Sequence, residues 1–440
     1  MKKLKSKKQL ILYGCAGLGV NMMNIIMGSY LCSALLTGGF VDHIESWTYL
    51  NRDLVIAGLW MVFAFLAKAL DGIIDLPFAA LADNIKSRFG RRKTAILIGF
   101  IPMIVAYLLF LVPLDDSATV LNTIWFGVLL CAFYTFYTLT MLTYYATFSE
   151  VTETEGETVF LSNTKSICDV VYFSLAFALV PVFVSLGINI RIVALIFLPL
   201  SLSMLIPMFL LKENAEGEDV GRSEPLTLGR ALACSFKNKA FMYWMCVYFV
   251  MTIGMQLFLG GINELFSSTG LNMTFVMASS FAPVPLTLML YNRIVKRRGL
   301  AVAFRVTLVI YSVGMFVMYL CSVFSSSLNE LQLTLIAIFG GILVSFSLGS
   351  FFSIPYTIPT HLAQCEFERS GNSVASMYFA VDGLFGGIAS GVATGIILVW
   401  LKAINNISLL PIIVIVCMLS AFAMTFFLPQ TIKGIGKIDK

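Results

Sequence analysis

Long apolar stretches alternate with short polar ones along the whole chain. Each apolar stretch runs for about 20 residues, the length a helix needs to cross the hydrocarbon of a bilayer. The pattern predicts about twelve helical spans. Six lie near 10–36, 54–82, 95–113, 120–148, 166–187 and 189–211, and six near 240–262, 272–292, 301–324, 331–356, 374–400 and 408–428. The strict alternation of a transmembrane β-barrel is missing. The longest polar segment, 212–239, opens Lys-Glu-Asn-Ala-Glu-Gly-Glu-Asp and divides the spans six and six. The expected fold is an all-α polytopic membrane protein of two six-helix halves, 1–211 and 240–440, joined by a cytoplasmic linker over 212–239.

Composition narrows the class. Of 440 residues, 59% are hydrophobic and 12% charged, whereas a soluble chain carries roughly twice that charged share. The net charge of +5 is no nucleic-acid signature, because the basic residues sit in short loops. Lys2, Lys3, Lys5, Lys7 and Lys8 precede span one, and Lys86, Arg88, Arg91, Arg92 and Lys93 follow span two. Arg293, Lys296, Arg297 and Arg298 follow span eight, and Lys433, Lys437 and Lys440 end the chain. With twelve spans all four clusters share one side, which predicts cytoplasmic termini in a cell membrane. The acidic run Glu150, Glu153, Glu155 and Glu157 shares that side, and acids influence topology weakly. The apolar stretch after the basic start is long enough to span, so no cleavable signal is expected. The nine cysteines form no CxxC pair and read as packing residues. There is no nucleophile elbow, HExxH or phosphate-binding loop, so neither an enzyme nor an ATP-driven pump is expected. Transport then draws on an ion gradient or runs downhill, with no cofactor beyond Na⁺ or H⁺.

The chemistry concentrates in Lys68-Ala-Leu-Asp71-Gly-Ile-Ile-Asp75-Leu-Pro77. Positions 68, 71 and 75 share one helix face. Ionisable groups at membrane depth are costly and mark ion or substrate paths. Two carboxylates there repel unless a cation or proton lies between them. The alternative is an intrahelical Lys68–Asp71 ion pair that only fixes packing. Asn21 and Asn24, at i and i+3 in span one, offer amides to a cation or a hydroxyl, or join helices. Lys165 and Asp169, at i and i+4, form an interfacial pair or line a cavity. Asp382, deep in span eleven beside Gly383, Gly386 and Gly387, needs a partner: Lys68 or a substrate amine. Tyr134, Tyr137, Tyr144 and Tyr145 make span four aromatic, which suits a sugar face or plain packing. Pro283, Pro285, Pro355 and Pro359 are expected to break spans eight and ten. His43 and His361 are near loops, which argues against a histidine proton relay.

The loop Asp83…Arg88-Phe-Gly90-Arg91-Arg92-Lys93 resembles the cytoplasmic loop of the major facilitator superfamily, and a weaker copy recurs at Arg293…Gly299. The basic-x-x-Asp-x-x-x-Asp segment before it resembles the glycoside–pentoside–hexuronide:cation symporters, of which melibiose carriers are members. The opening Tyr13-Gly14…Gly19-x-Asn21 and the stretch Leu226…Phe241 are similar to that family's first helix and linker helix. The resemblance implies alternating access, a cation held by Asp71 and Asp75, and a sugar-contacting role for the positions of Asn21 and Lys165. From the residues themselves, Asn21 is a candidate cation ligand, and Asn24, Lys68, Tyr145, Lys165, Asp169 and Asp382 are candidate solute contacts. Asp83, Arg88, Gly90 and Arg91 are expected to latch the cytoplasmic helix ends. The chain departs from the family's sugar carriers at Lys68 and Lys165, where they have Arg. It departs again at Asn21 and Met141, where they have acids, at Thr143, where they have Pro, and in lacking a span-eleven Lys. The expected activity is symport of a small organic solute, a sugar or glycoside, by a monomer in the lipid bilayer. Its rivals are a lipid or amphiphile translocator of the same fold and a non-transporting membrane sensor.

Overall fold

The computed structural model describes residues 4, 6–40, 43–74, 77–78, 85, 87, 89–152, 155–211, 236–267, 273–325, 327–370 and 375–433. Asp75, Asp83 and Arg88 lie outside them, as does most of the linker. Every regular element among the described residues is helical. Eleven helices there are long and apolar enough to cross a membrane. In the first half these are α1 (Lys7–Leu35), α3 (Arg91–Phe110), α4 (Val120–Ala146), α5 (Glu155–Ser185) and α6 (Ile190–Leu210). In the second they are α7 (Lys239–Ser267), α8 (Phe275–Arg298), α9 (Leu300–Val323), α10 (Glu330–Ser370), α11 (Val381–Ala403) and α12 (Ile407–Thr425). The helix α2 (Ala57–Ile73) fills the place of the second span and is described over 17 residues, about 26 Å of rise.

The chain forms two compact units, Met1–Thr37 with His43–Gly221, and Gly38–Asp42 with Arg222–Lys440. Within each, helices are apolar on both faces. On α3 the row Ala95, Met103, Ala106 and Phe110 is at most 4% exposed, while Ile98, Ile101, Val105 and Leu108 are 38–57% exposed. The outer row matches lipid, which is as apolar as the core, so cohesion rests on close packing. Gly19 of α1 shows how close: a Cβ there would lie 1.9 Å from the Leu200 carbonyl oxygen of α6.

The repeated basic loop is also a repeated backbone turn. Gly90 precedes α3 at φ 100°, ψ 143°, and Gly299 precedes α9 at φ 85°, ψ 162°. Side chains rarely reach that region, which is why glycine stands at both places. Of the expected proline breaks, the one at Pro283 occurs, separating Met273–Phe281 from Val284–Arg298. Those at Pro355 and Pro359 do not: α10 runs through both. A membrane helix tolerates proline because neighbouring groups satisfy the freed carbonyls.

Polar ties cross between helices of the second unit. Lys402 of α11 donates to Glu264 Oε1 of α7 at 2.8 Å, with side chains 2% and 0% exposed. The Lys402 ammonium also lies 4.6 Å from the Phe40 ring centre, and Gly39 N–H donates to Asn405 Oδ1 at 3.3 Å. Arg305 of α9 donates to the Thr425 hydroxyl (3.0 Å) and carbonyl (2.9 Å) at the end of α12, where a cation meets the helix's negative pole.

Candidate functional site

The sequence stripe on α2 meets a matching stripe on α4. Lys68 and Asp71 are three apart on one, and Tyr134 and Thr138 four apart on the other, so each pair points one way. Gly127 allows the approach, since a Cβ there would lie 2.2 Å from Phe63 Cγ. The Thr138 hydroxyl donates to Asp71 Oδ1. The Lys68 ammonium rests 4.0 Å from the Tyr134 ring centre, a cation–π geometry. Lys68 and Asp71 also act on each other through their charges, so the intrahelical pairing weighed above stays open beside the contacts to α4. Asp71 has about four lone-pair sites, and Thr138 occupies one.

Helix α1 closes this cluster with an irregular turn. Its segment Ile26–Leu31 is a π-helix, a distortion common at functional sites. Gly28 lies within it, where a Cβ would lie 2.8 Å from Tyr134 Oη and 3.6 Å from Lys68 Nζ. The Tyr134 hydroxyl and Asn24 Oδ1, one turn earlier on α1, are buried without a hydrogen-bond partner. A buried acceptor and a buried hydroxyl left unsatisfied are costly, and both lie on helices that meet at Lys68.

A second group lies along α1, α4 and α5. Asn21 Oδ1 accepts from Tyr137 Oη at 2.8 Å, and Asn21 Nδ2 donates to Tyr145 Oη at 3.4 Å. The Lys165 ammonium lies 4.8 Å from the Tyr145 ring centre and pairs with Asp169 at 2.6 Å. The Lys165–Asp169 pair is partly exposed, at 24% and 28%. The structure thus joins Asn21, Tyr145, Lys165 and Asp169 in one contact chain, with Tyr137 on the same helix as Tyr134 and Thr138. Met141, buried, packs its Cε 3.1 Å from where a Gly17 Cβ would be.

Asp382 belongs to the second unit. It is 9% exposed, and its Oδ1 has no hydrogen-bond partner. Its neighbour is Tyr248 of α7, whose hydroxyl hydrogen-bonds the carboxyl. Gly386, one turn on, admits that hydroxyl: a Cβ there would be 2.8 Å from Tyr248 Oη. Of the expected latch, Gly90 supplies the positive-φ turn, and Arg91 begins α3. Sequence reading missed Thr138, Gly28 and Tyr248. Their only signal was a small or hydroxylated residue at helical spacing from a charged or aromatic one.

Comparison with known proteins bears on family and fold. A family model described as MFS/sugar transport protein matches residues 12–411. No curated protein matches the chain. Among solved structures, the nucleoside transporter NupG is similar at 15% identity, over 97% of this chain and 99% of that one, with a TM-score of 0.65. A POT family transporter in complex with 5-aminolevulinic acid is similar at 11% identity, over 98% and 99%, with a TM-score of 0.67. A bacterial homolog of the human lysosomal transporter Spinster gives 12%, 97%, 98% and 0.60. At these identities the likeness is one of fold.

Proposed function

The chain belongs to the MFS/sugar transport protein family and is a multi-pass membrane transporter, and on that premise we propose that it couples entry of a sugar or glycoside to Na⁺ or H⁺. The observation that carries this is Asp71, a carboxylate in a membrane helix that accepts from Thr138 while Lys68 is held on Tyr134. A carboxylate at that depth needs a counter-charge. In this reading Asp71 and Asp75 hold the coupling ion, and Lys68 neutralises Asp71 when the ion leaves. The Tyr134 ring then parks the ammonium while the ion is bound. The unpartnered Asn24 Oδ1 and the Tyr137–Asn21–Tyr145 row offer acceptors and rings, the combination that suits a hydroxylated ring with one apolar face. Lys165, Asp169 and Asp382 supply further polar contacts. The termini are cytoplasmic, the protein works as a monomer in the cell membrane, and the Asp83–Arg91 loop latches the helix ends during alternating access.

Thermal melting of the purified protein tests this. Galactosides, glucosides, pentoses, a nucleoside and a lysophospholipid are added singly in Na⁺ or K⁺ at several pH values. A ligand of the folded state raises the melting temperature. A glycoside shift enlarged by Na⁺ or by acid, with the enlargement lost in Asp71→Asn, supports the reading. A shift with lysophospholipid alone, indifferent to ion and pH, overturns it in favour of an amphiphile translocator.

A further inference from the structure

The nine cysteines read along the chain as packing residues, and the structure brings two of them into contact. Cys15, between the first turns of α1, and Cys168, on α5, are 153 residues apart in sequence, and their sulfurs lie 2.9 Å apart. Both are free thiols; Cys168 is buried and Cys15 partly exposed. The contact lies inside the first unit. A disulfide needs the sulfurs at about 2.05 Å, so bond formation asks for less than about 1 Å of approach. The surrounding packing already fixes the two helices at this level. A Cβ on Gly14, next to Cys15, would lie 2.9 Å from Thr164 Cγ2 of α5, so the α1 backbone packs on an α5 side chain one turn before Cys168.

We propose that Cys15 and Cys168 are an oxidisable dithiol that, as a disulfide, staples α1 to α5. With hydrogen peroxide as the oxidant, one thiol gives up its proton and attacks a peroxide oxygen, becoming a sulfenic acid, and the hydroxide released takes that proton and leaves as water. The sulfur of the second thiol then displaces the hydroxyl from the sulfenic acid, and the departing hydroxide takes the second thiol's proton and leaves as a second water. Two thiols and one peroxide thus give one disulfide and two waters, with two electrons passing from sulfur to oxygen. A free thiol reductant reverses the step by exchange. The pair is placed where the bond has a consequence. Asp169 directly follows Cys168, and Asn21 is six residues, about 9 Å of helix, beyond Cys15. The staple fixes the spacing between the helix that carries Asn21 and the helix that carries Lys165 and Asp169. The sulfur chemistry holds whether or not those groups bind a solute.

The test uses the full-length protein purified under reductant, then exposed to hydrogen peroxide, denatured, alkylated and digested. The expected result is the loss of two alkylatable thiols and a linked peptide pair joining Cys15 to Cys168. The product is 2 Da lighter than the sum of the reduced peptides, as loss of two hydrogens requires. Dithiothreitol restores both thiols, and Cys15→Ser and Cys168→Ser each abolish the linked pair. The proposal is overturned if both cysteines stay alkylatable, if each is oxidised separately to sulfinic acid, or if either links to a different cysteine instead.

Discussion

Lys402→Met removes one partner of the most deeply buried ion pair described in the second unit. At 2.8 Å and an effective dielectric constant of 20, the attraction is about 6 kcal/mol. Desolvating each ion costs several kcal/mol, so the intact pair is close to neutral in its net effect. Breaking it is another matter. The Glu264 side chain is 0% exposed and its Oε2 already lacks a hydrogen-bond partner, so losing the ammonium strands a charge. Removing one member of such a pair costs about 3–5 kcal/mol. For a unit of this size, about 2–4 °C is lost per kcal/mol, which gives a fall of roughly 6–20 °C. The double variant Glu264→Met/Lys402→Met removes both charges and is expected to recover most of that loss. Melting of the wild type, both single variants and the double variant in detergent measures the coupling. Equal losses in the single and double variants, or a single-variant loss under about 1 kcal/mol, would refute the reasoning.

Other predictions follow from single contacts. Thr138→Val takes the hydroxyl from Asp71 and is expected to cost about 1.5–3 kcal/mol, read by melting, with ion dependence of any ligand shift weakened. Gly19→Ala places a Cβ 1.9 Å from the Leu200 carbonyl oxygen; much less folded protein should be recovered by size exclusion than from Gly17→Ala, whose nearest contact is 3.1 Å from a flexible Met141 terminus. Gly90→Ala and Gly299→Ala each force a side chain into positive φ and should cost about 1–3 kcal/mol, measured by melting; no change in either would argue against the repeated turn.

The sequence was most legible where the signal is local. Apolar length fixed the helices, and the two Gly-with-basic loops showed a repeat that reappears as one backbone conformation at Gly90 and Gly299. Lys68 and Asp71 were legible as a pair by spacing alone, but their partners were not. Tyr134 and Thr138 belong to another helix, 67 residues away from Asp71 in Thr138's case, and hydroxyls are common in helices. The Glu264–Lys402 pair was hidden by boundaries: span seven was expected to end at 262 and span eleven at 400, so each charge fell two residues outside. In the structure α7 continues to Ser267 and α11 to Ala403, which puts both inside. Cys15 and Cys168 failed as a motif for the same reason as Thr138, since only the fold brings positions 153 apart together.

The most direct measurement of the central claim is solute accumulation in proteoliposomes driven by an imposed ion gradient, compared between wild type and Asp71→Asn, using the glycoside that gives the largest melting shift. Wild type is expected to concentrate the solute above equilibrium under an inward Na⁺ or H⁺ gradient. Asp71→Asn should still exchange solute across the membrane while losing accumulation. Accumulation by Asp71→Asn at the wild-type level would contradict a coupling ion at Asp71.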